Sequence, residues 1–234
     1  MWKGRSSYMV GVSRYLDGSS IPVNVTVFGA TGGIGRHVVR QLLAEGHQVT
    51  AYVRSPDKLV GPHPQLTART GELTDDGEVH AAVRGSAAVI SALGPPLDPF
   101  RRGAPLTGGT RTILAAMRAE NVCRFVGLAT PSIPDPRDGR HWKRAVLPVV
   151  AGLFMPNALR EIRGMSALIA ESGFDWTIAR ISNPVSRPGT GTVRSGFLGR
   201  DPVGSVISRE DVATFLVDQL TDTTYHRSAP AISN

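Results

Sequence analysis

Apolar positions along this chain switch between two periods. A β-branched run, Val23-Asn24-Val25-Thr26-Val27-Phe28, is followed after a glycine-rich break by Ile34, Val38 and Leu42, with Val39 and Leu43 beside them. The first spacing suits a strand, the second an apolar stripe on a helix, and Gly46 stands where such a helix would end. The alternation then repeats. His47–Val53, Leu66–Gly71, Ala87–Pro95 with a proline break at its end, Arg124–Thr130 and Phe174–Ile181 read as further strands. Between them, helices are expected after Glu72-Leu73-Thr74-Asp75 through Val83, and over Leu106–Ala119 with Ile113, Leu114 and Met117 on one face. Another starts at an N-cap on Asn157, carries Leu159, Ile162, Met165 and Ile169, and stops at Ser172-Gly173. Asn183–Gly189 reads as a loop and Thr190–Phe197 as a small edge strand. Ser208 caps a last helix with Asp211 at the capping-box position and Val212, Phe215, Leu216 and Leu220 on the buried side. Strands alternating with helices predict an α/β fold: a doubly wound, mostly parallel sheet covered on both faces.

Composition narrows this picture. The chain has 234 residues, 41% hydrophobic and 19% charged, with no internal repeat or composition break, so residues 21–234 read as one domain. Residues 1–20 include Lys3, Arg5 and Arg14 without an apolar stretch of the signal-peptide kind; they read as a flexible extension, with Met9 an alternative start. No apolar run reaches the roughly eighteen residues of a membrane span. Cys123 is the single cysteine, which excludes an internal disulfide and a cysteine zinc site; a buried, inert thiol in a cytoplasmic protein is the expectation. The net charge is +7, yet the 26 basic residues are scattered without aromatic interleaving. A field that attracts a phosphorylated cofactor or an acidic small molecule is expected, with no nucleic-acid or membrane partner. The six histidines are dispersed and read as surface residues, with no metal site.

The chemistry concentrates in the first break, Gly29-Ala30-Thr31-Gly32-Gly33-Ile34-Gly35. A glycine turn between a strand and a helix leaves backbone N–H groups and the positive end of the helix dipole facing one point, which is an anion site. Gly29 serves the tight turn, Gly32 the close approach of a pyrophosphate, and Gly35 the packing of helix on strand. In dinucleotide folds that prefer NAD, an acid about 20 residues further on reads the ribose 2′-hydroxyl. Here Arg54 stands in that place with Ser55 and Lys58 nearby. A guanidinium pairs with a 2′-phosphate where a carboxylate would repel it, so NADP(H) is the expected cofactor.

The motifs GATGGIG, VTAYVRSP, SALGP, ILAAM, ESGFDWTIAR and VISREDVATFLVDQL occur in this order from Val23 onward. Together they resemble the atypical short-chain dehydrogenase/reductases, the NAD(P)H-binding group of biliverdin-IXβ/flavin reductases and NmrA-like proteins, which share the Rossmann fold. The resemblance implies that Thr31, Gly33 and Ile34 take the pyrophosphate and Arg54 with Ser55 the 2′-phosphate. It implies that Gly71-Glu72-Leu73 sits by the adenine, Leu73 included, and that Ala92, Leu93, Gly94, Ala129 and Thr130 line the nicotinamide half. It also implies a hydride-transferring reductase of a flavin, quinone or other conjugated small molecule.

One departure matters. The tyrosines are 8, 15, 52 and 225, the lysines 3, 58 and 143, and no Tyr-x-x-x-Lys pair exists. Arg160 and Arg163 stand on the helix that would carry the lysine, and arginine cannot serve as a titrating acid. Thr130, Ser132 and Asn183, at strand ends, are the candidate catalytic groups. The residues from Pro131 to Val149 and the aromatic side chains Trp142 and Phe154 are candidates for the substrate side. Two further readings stay open: a redox-silent NADP(H) sensor, and an enzyme using the same pocket for a redox-neutral cyclisation, dehydration or isomerisation. The sequence leaves substrate and oligomeric state open.

Overall fold

A computed structural model describes residues 21–94, 105–139 and 156–234. In chain order the elements are β1 (Asn24–Phe28), α1 (Gly35–Ala44), β2 (Gln48–Val53), a 3₁₀ turn (Pro56–Lys58), β3 (Leu66–Thr70), α2 (Asp76–Val83), β4 (Ala88–Ser91), α3 (Pro105–Ala119) and β5 (Arg124–Ala129). They continue with α4 (Pro156–Ala170), β6 (Asp175–Arg180), β7 (Asn183–Val185), β8 (Arg194–Gly196), β9 (Val206–Ser208), α5 (Arg209–Asp218) and β10 (Ala231–Ser233).

Eight strands form one sheet in the order β3-β2-β1-β4-β5-β6-β10-β8. Every pairing is parallel except β10 with β8, which is antiparallel and puts the short expected strand at the edge. The order reverses between β1 and β4, so the crevice outside their C-terminal ends is the topological switch point of a Rossmann sheet. Strand alternation builds two cores. Val25, Val27, Val49, Ala51 and Ile90 meet α1 and α5 on one face. Phe28, Tyr52, Val89, Phe125 and Ile178 meet α2, α3 and α4 on the other. Each large apolar side chain so buried contributes about 1.5–3 kcal/mol. Thr26, fully buried on β1, is tolerated because its hydroxyl donates to the Ala82 carbonyl at 2.6 Å.

Several local expectations changed. The α1 end is as read: Gly46 N donates to Leu43 O and His47 N to Leu42 O, which satisfies the last carbonyls. His47 itself is buried, its Nδ1 accepting from Val23 N, so it is a core residue and not a surface one. Cys123 is exposed, since it lies outside β5 in the turn before the strand. Asn157 lies inside α4 and accepts from Arg160 across one turn, so it is not the cap. Asn183–Val185 is a strand: β7 pairs in parallel with β9, an element whose three residues are too short for periodicity to reveal. Pro95, Trp142 and Phe154 lie outside the described residues, as do residues 1–20 and most of the expected substrate loop.

Candidate functional site

The site is built where β1 meets α1. Gly29 has φ +77°, a conformation that favours glycine, and a Cβ there would also press on the Ala92–Leu93 backbone at 2.9–3.0 Å. The end of β4 therefore lies directly against the glycine turn. A Cβ on Gly35 would overlap the Gly29 carbonyl, so α1 can start this close to the turn only without a side chain. Gly32 N donates back to Gly29 O at 2.9 Å, which closes the turn. The amides of Thr31, Gly33 and Ile34 donate to no protein acceptor among the described residues. Ile34 is the N-cap of α1 without a side-chain cap bond, and the first turn carries no acidic residue. Unpaired donors at an uncapped helix start are what a diphosphate satisfies.

The neighbouring strand ends supply the rest. Arg54 follows β2 directly and is exposed, and no hydrogen-bond or ion-pair partner holds its side chain among the described residues. Ser55 caps the 3₁₀ turn without using its hydroxyl. Beyond β3, the Tyr52 hydroxyl donates to Glu72 O at 2.8 Å and occupies the space where a Gly71 side chain would stand. Leu73 packs into the place left by Gly109 on α3, so its side chain is committed to that helix. Ala92 N donates to Phe28 O, and Ile181 N to Ala129 O, which brings the ends of β1 and β4, and of β5 and β6, side by side.

A family model described as NAD(P)H-binding matches residues 29–223. The chain belongs to that family. An uncharacterised chloroplastic protein of Arabidopsis thaliana is 30% identical over 197 residues, 78% of this chain and 69% of its own. A 3-beta-hydroxysteroid dehydrogenase of Mycolicibacterium neoaurum is 32% identical over 119 residues, 47% of this chain; the match spans only 32% of that enzyme's length. Among solved structures, a short-chain dehydrogenase/reductase from Veillonella parvula in complex with NADP superposes with TM-score 0.74 at 20% identity, covering 92% of this chain and 95% of its own. ChuY, an anaerobilin reductase from Escherichia coli O157:H7, gives TM-score 0.70 at 21% identity over 90% and 96%. These two share the fold. In this NAD(P)H-binding chain the unpaired turn amides, on a turn that Gly35 lets sit directly against α1, fit a nicotinamide dinucleotide's diphosphate.

The candidate acid–base groups sit apart from that turn. Thr130 Oγ1 and Ser132 Oγ are 2.6 Å apart, so the structure brings these two together at the end of β5, Ser132 buried and Thr130 half-buried. Asn183 is not part of the pair: it opens β7, is exposed, and its backbone N–H donates to Ser205 O. Neither described tyrosine is placed to act as an acid. Burial, with Asp75, Glu78 and Glu72 adding negative charge, pushes the Tyr52 pKa up to about 12. Tyr225 donates to Ser195 Oγ at 2.9 Å.

Two groups were missed from the sequence. Arg180 and Asp138 form a forked ion pair, Nη2 to Oδ1 at 2.6 Å and Nη1 to Oδ2 at 2.8 Å, with both side chains fully screened from solvent. Burial pushes the Asp138 pKa up, but the Arg180 hydrogen bonds, aided by the Asp135 and Leu198 amides, outweigh it and hold the carboxyl below its ordinary range. This pair anchors the start of the segment after β5 to β6 and to Leu198. The other missed residue is Arg209, whose side chain crosses from α5 to Gly33. It was legible only as the first residue of a helix; no local pattern tells where a long side chain points.

Proposed function

We propose that this chain is an NADPH-dependent reductase that delivers hydride to a flat, conjugated small molecule such as a flavin, a quinone or a biosynthetic intermediate. The observation that carries the reading is the open glycine turn with its unpaired Thr31, Gly33 and Ile34 amides beside a cationic β2 end. The amides hold the diphosphate. Arg54 and the free Ser55 hydroxyl hold a 2′-phosphate, which NADH lacks. When bound, the nicotinamide supplies the hydride. The ends of β4 and β5 hold it in place, and the paired Thr130 and Ser132 hydroxyls orient the acceptor or steady charge developing on it. With no tyrosine–lysine pair, water returns the proton, and this suits acceptors whose reduced form is stabilised by conjugation. An anaerobilin reductase among the fold neighbours supports an acceptor of this shape.

Calorimetry with NADPH and NADH tests the cofactor half: NADPH binds more tightly, and Arg54→Asp removes the preference. Equal affinities in the parent protein would refute the NADPH assignment. The reductase half is tested by following reduced-nicotinamide absorbance across flavin, quinone and enone acceptors, with turnover varying little between about pH 6 and 8 because no acid of the tyrosine–lysine kind titrates there. The missing acid favours one other reading, a redox-silent NADP(H) sensor. NADPH bound tightly but oxidised by no acceptor is the result that reading requires.

A further inference from the structure

We propose that the Arg209 guanidinium is a second anion-binding group of the cofactor site, gripping the pyrophosphate across the glycine turn. The proposal rests on the nucleotide-binding reading above and adds to it a residue from the far end of the chain. Arg209 is the first residue of α5, and a Cβ placed on Gly33 would stand 3.0 Å from both its Cδ and its Nε. The arginine stem therefore lies on the turn itself, in space that a side chain at position 33 would crowd. Its Nη1 donates to Ser186 Oγ, which fixes the direction of the fork.

Its charge is not spent inside the protein. The acids that follow it are turned away: Glu210 accepts from Gly189 N at 2.8 Å, and Asp211 accepts from Thr190 N, Gly191 N and Ser208 Oγ. Among the described residues no carboxylate pairs with Arg209. The first turn of α1 carries no acid either. A half-buried cation thus stands beside three amides without acceptors and no protein anion. A diphosphate is the ligand whose charge and oxygen count match this set, with the planar guanidinium able to fork onto two oxygens.

The test separates the pyrophosphate from the 2′-phosphate. NADP+ binding is measured by calorimetry and 2′-AMP, which has no pyrophosphate, by saturation-transfer NMR, on the full chain and on Arg209→Ala, Arg209→Lys and Ser186→Ala. Arg209→Ala is expected to weaken NADP+ by about 10–100-fold, the range of a charge-assisted pair, and to leave 2′-AMP within about twofold. Arg209→Lys should fall between, because it keeps the charge and loses the fork. NADP+ binding unchanged in Arg209→Ala overturns the proposal and leaves the cofactor reading intact. So does equal weakening of both probes with a lower unfolding temperature, which makes the arginine a scaffold contact only; Ser186→Ala, which frees the fork but keeps the charge, is expected to show part of the NADP+ loss. A parent protein that binds neither probe overturns the nucleotide reading itself.

Discussion

Gly35 leaves no room for even one methyl group, because a Cβ would run into the Gly29 carbonyl and both atoms belong to backbone. Gly35→Ala therefore has to open the turn or tilt α1. The expected cost is about 1–3 kcal/mol of stability, the usual range for overpacking. Nucleotide affinity should fall by an order of magnitude or more, since the turn amides move with the turn. Chemical denaturation alongside calorimetry checks both; full affinity with unchanged stability would mean the turn relaxes freely. Thr130 is the matching position on the substrate side. Thr130→Val keeps the shape and deletes the hydroxyl that meets Ser132 at 2.6 Å. If the pair serves the acceptor, turnover drops roughly 10–1,000-fold with nucleotide binding nearly unchanged. Parental turnover in Thr130→Val and Ser132→Ala alike would leave positioning alone to account for the activity.

At the scale of elements, the start of α5 is tied down from both sides. Ser208 Oγ accepts from Asp211 N at 2.9 Å and gives its proton to Asp211 Oδ2 at 2.7 Å. The Asp211 carboxylate does not return to the Ser208 backbone as a simple capping box would. It gathers the Thr190 and Gly191 amides and the Asn234 side chain, so one residue joins helix, loop and chain end. Ser208→Ala should cost about 0.5–2 kcal/mol, read by chemical denaturation. Burial pushes the Asp211 pKa up, but its hydrogen bonds, led by the Thr190 amide, outweigh it and leave it lowered. A carboxyl that titrates lower in the fold than in the unfolded chain contributes its stabilisation in full above the unfolded pKa of about 4 and loses it as pH falls through the folded value. Asp211→Asn should thus be less stable at neutral pH and show a shallower loss below about pH 4; a parallel acid profile in parent and variant would rule this out.

For the molecule as a whole, the Arg180–Asp138 pair holds three segments that only the fold brings together. Arg180 ends β6, Asp138 follows β5, and Leu198 N donates to the same carboxylate from the segment after β8. Asp138→Asn leaves a buried guanidinium without its counter-charge and should cost about 3–5 kcal/mol, with cooperative unfolding at a lower temperature. Because these segments border the candidate substrate side, the same variant should raise the KM for an acceptor more than the Kd for NADPH. A larger loss for the nucleotide would place the pair on the cofactor side instead.

The alternating periods were enough to determine the strand–helix order, the parallel sheet and the glycine turn, because local hydrogen bonding and one-sided burial depend on residues close in sequence. The place of Gly29 and Gly35 in the turn, and the position of Arg54 and Ser55 just after β2, were legible for the same reason: a turn and the two residues after a strand are local events. Short strands were not. β7, β9 and β10 have three residues each, too few to carry a period, and β7 and β9 exist because each supplies the other's backbone partners. Cys123 and His47 were misjudged because burial depends on what lies across from a residue, not on its apolar neighbours in sequence. The meeting of Thr130 with Ser132 follows from two positions only a turn apart, yet their hydrogen bond needed side-chain geometry. Arg209 reaching Gly33, and Arg180 closing on Asp138, belong wholly to tertiary structure. A long cationic side chain has many rotamers, and only packing from distant elements selects the one that puts its charge beside the glycine turn or inside the core.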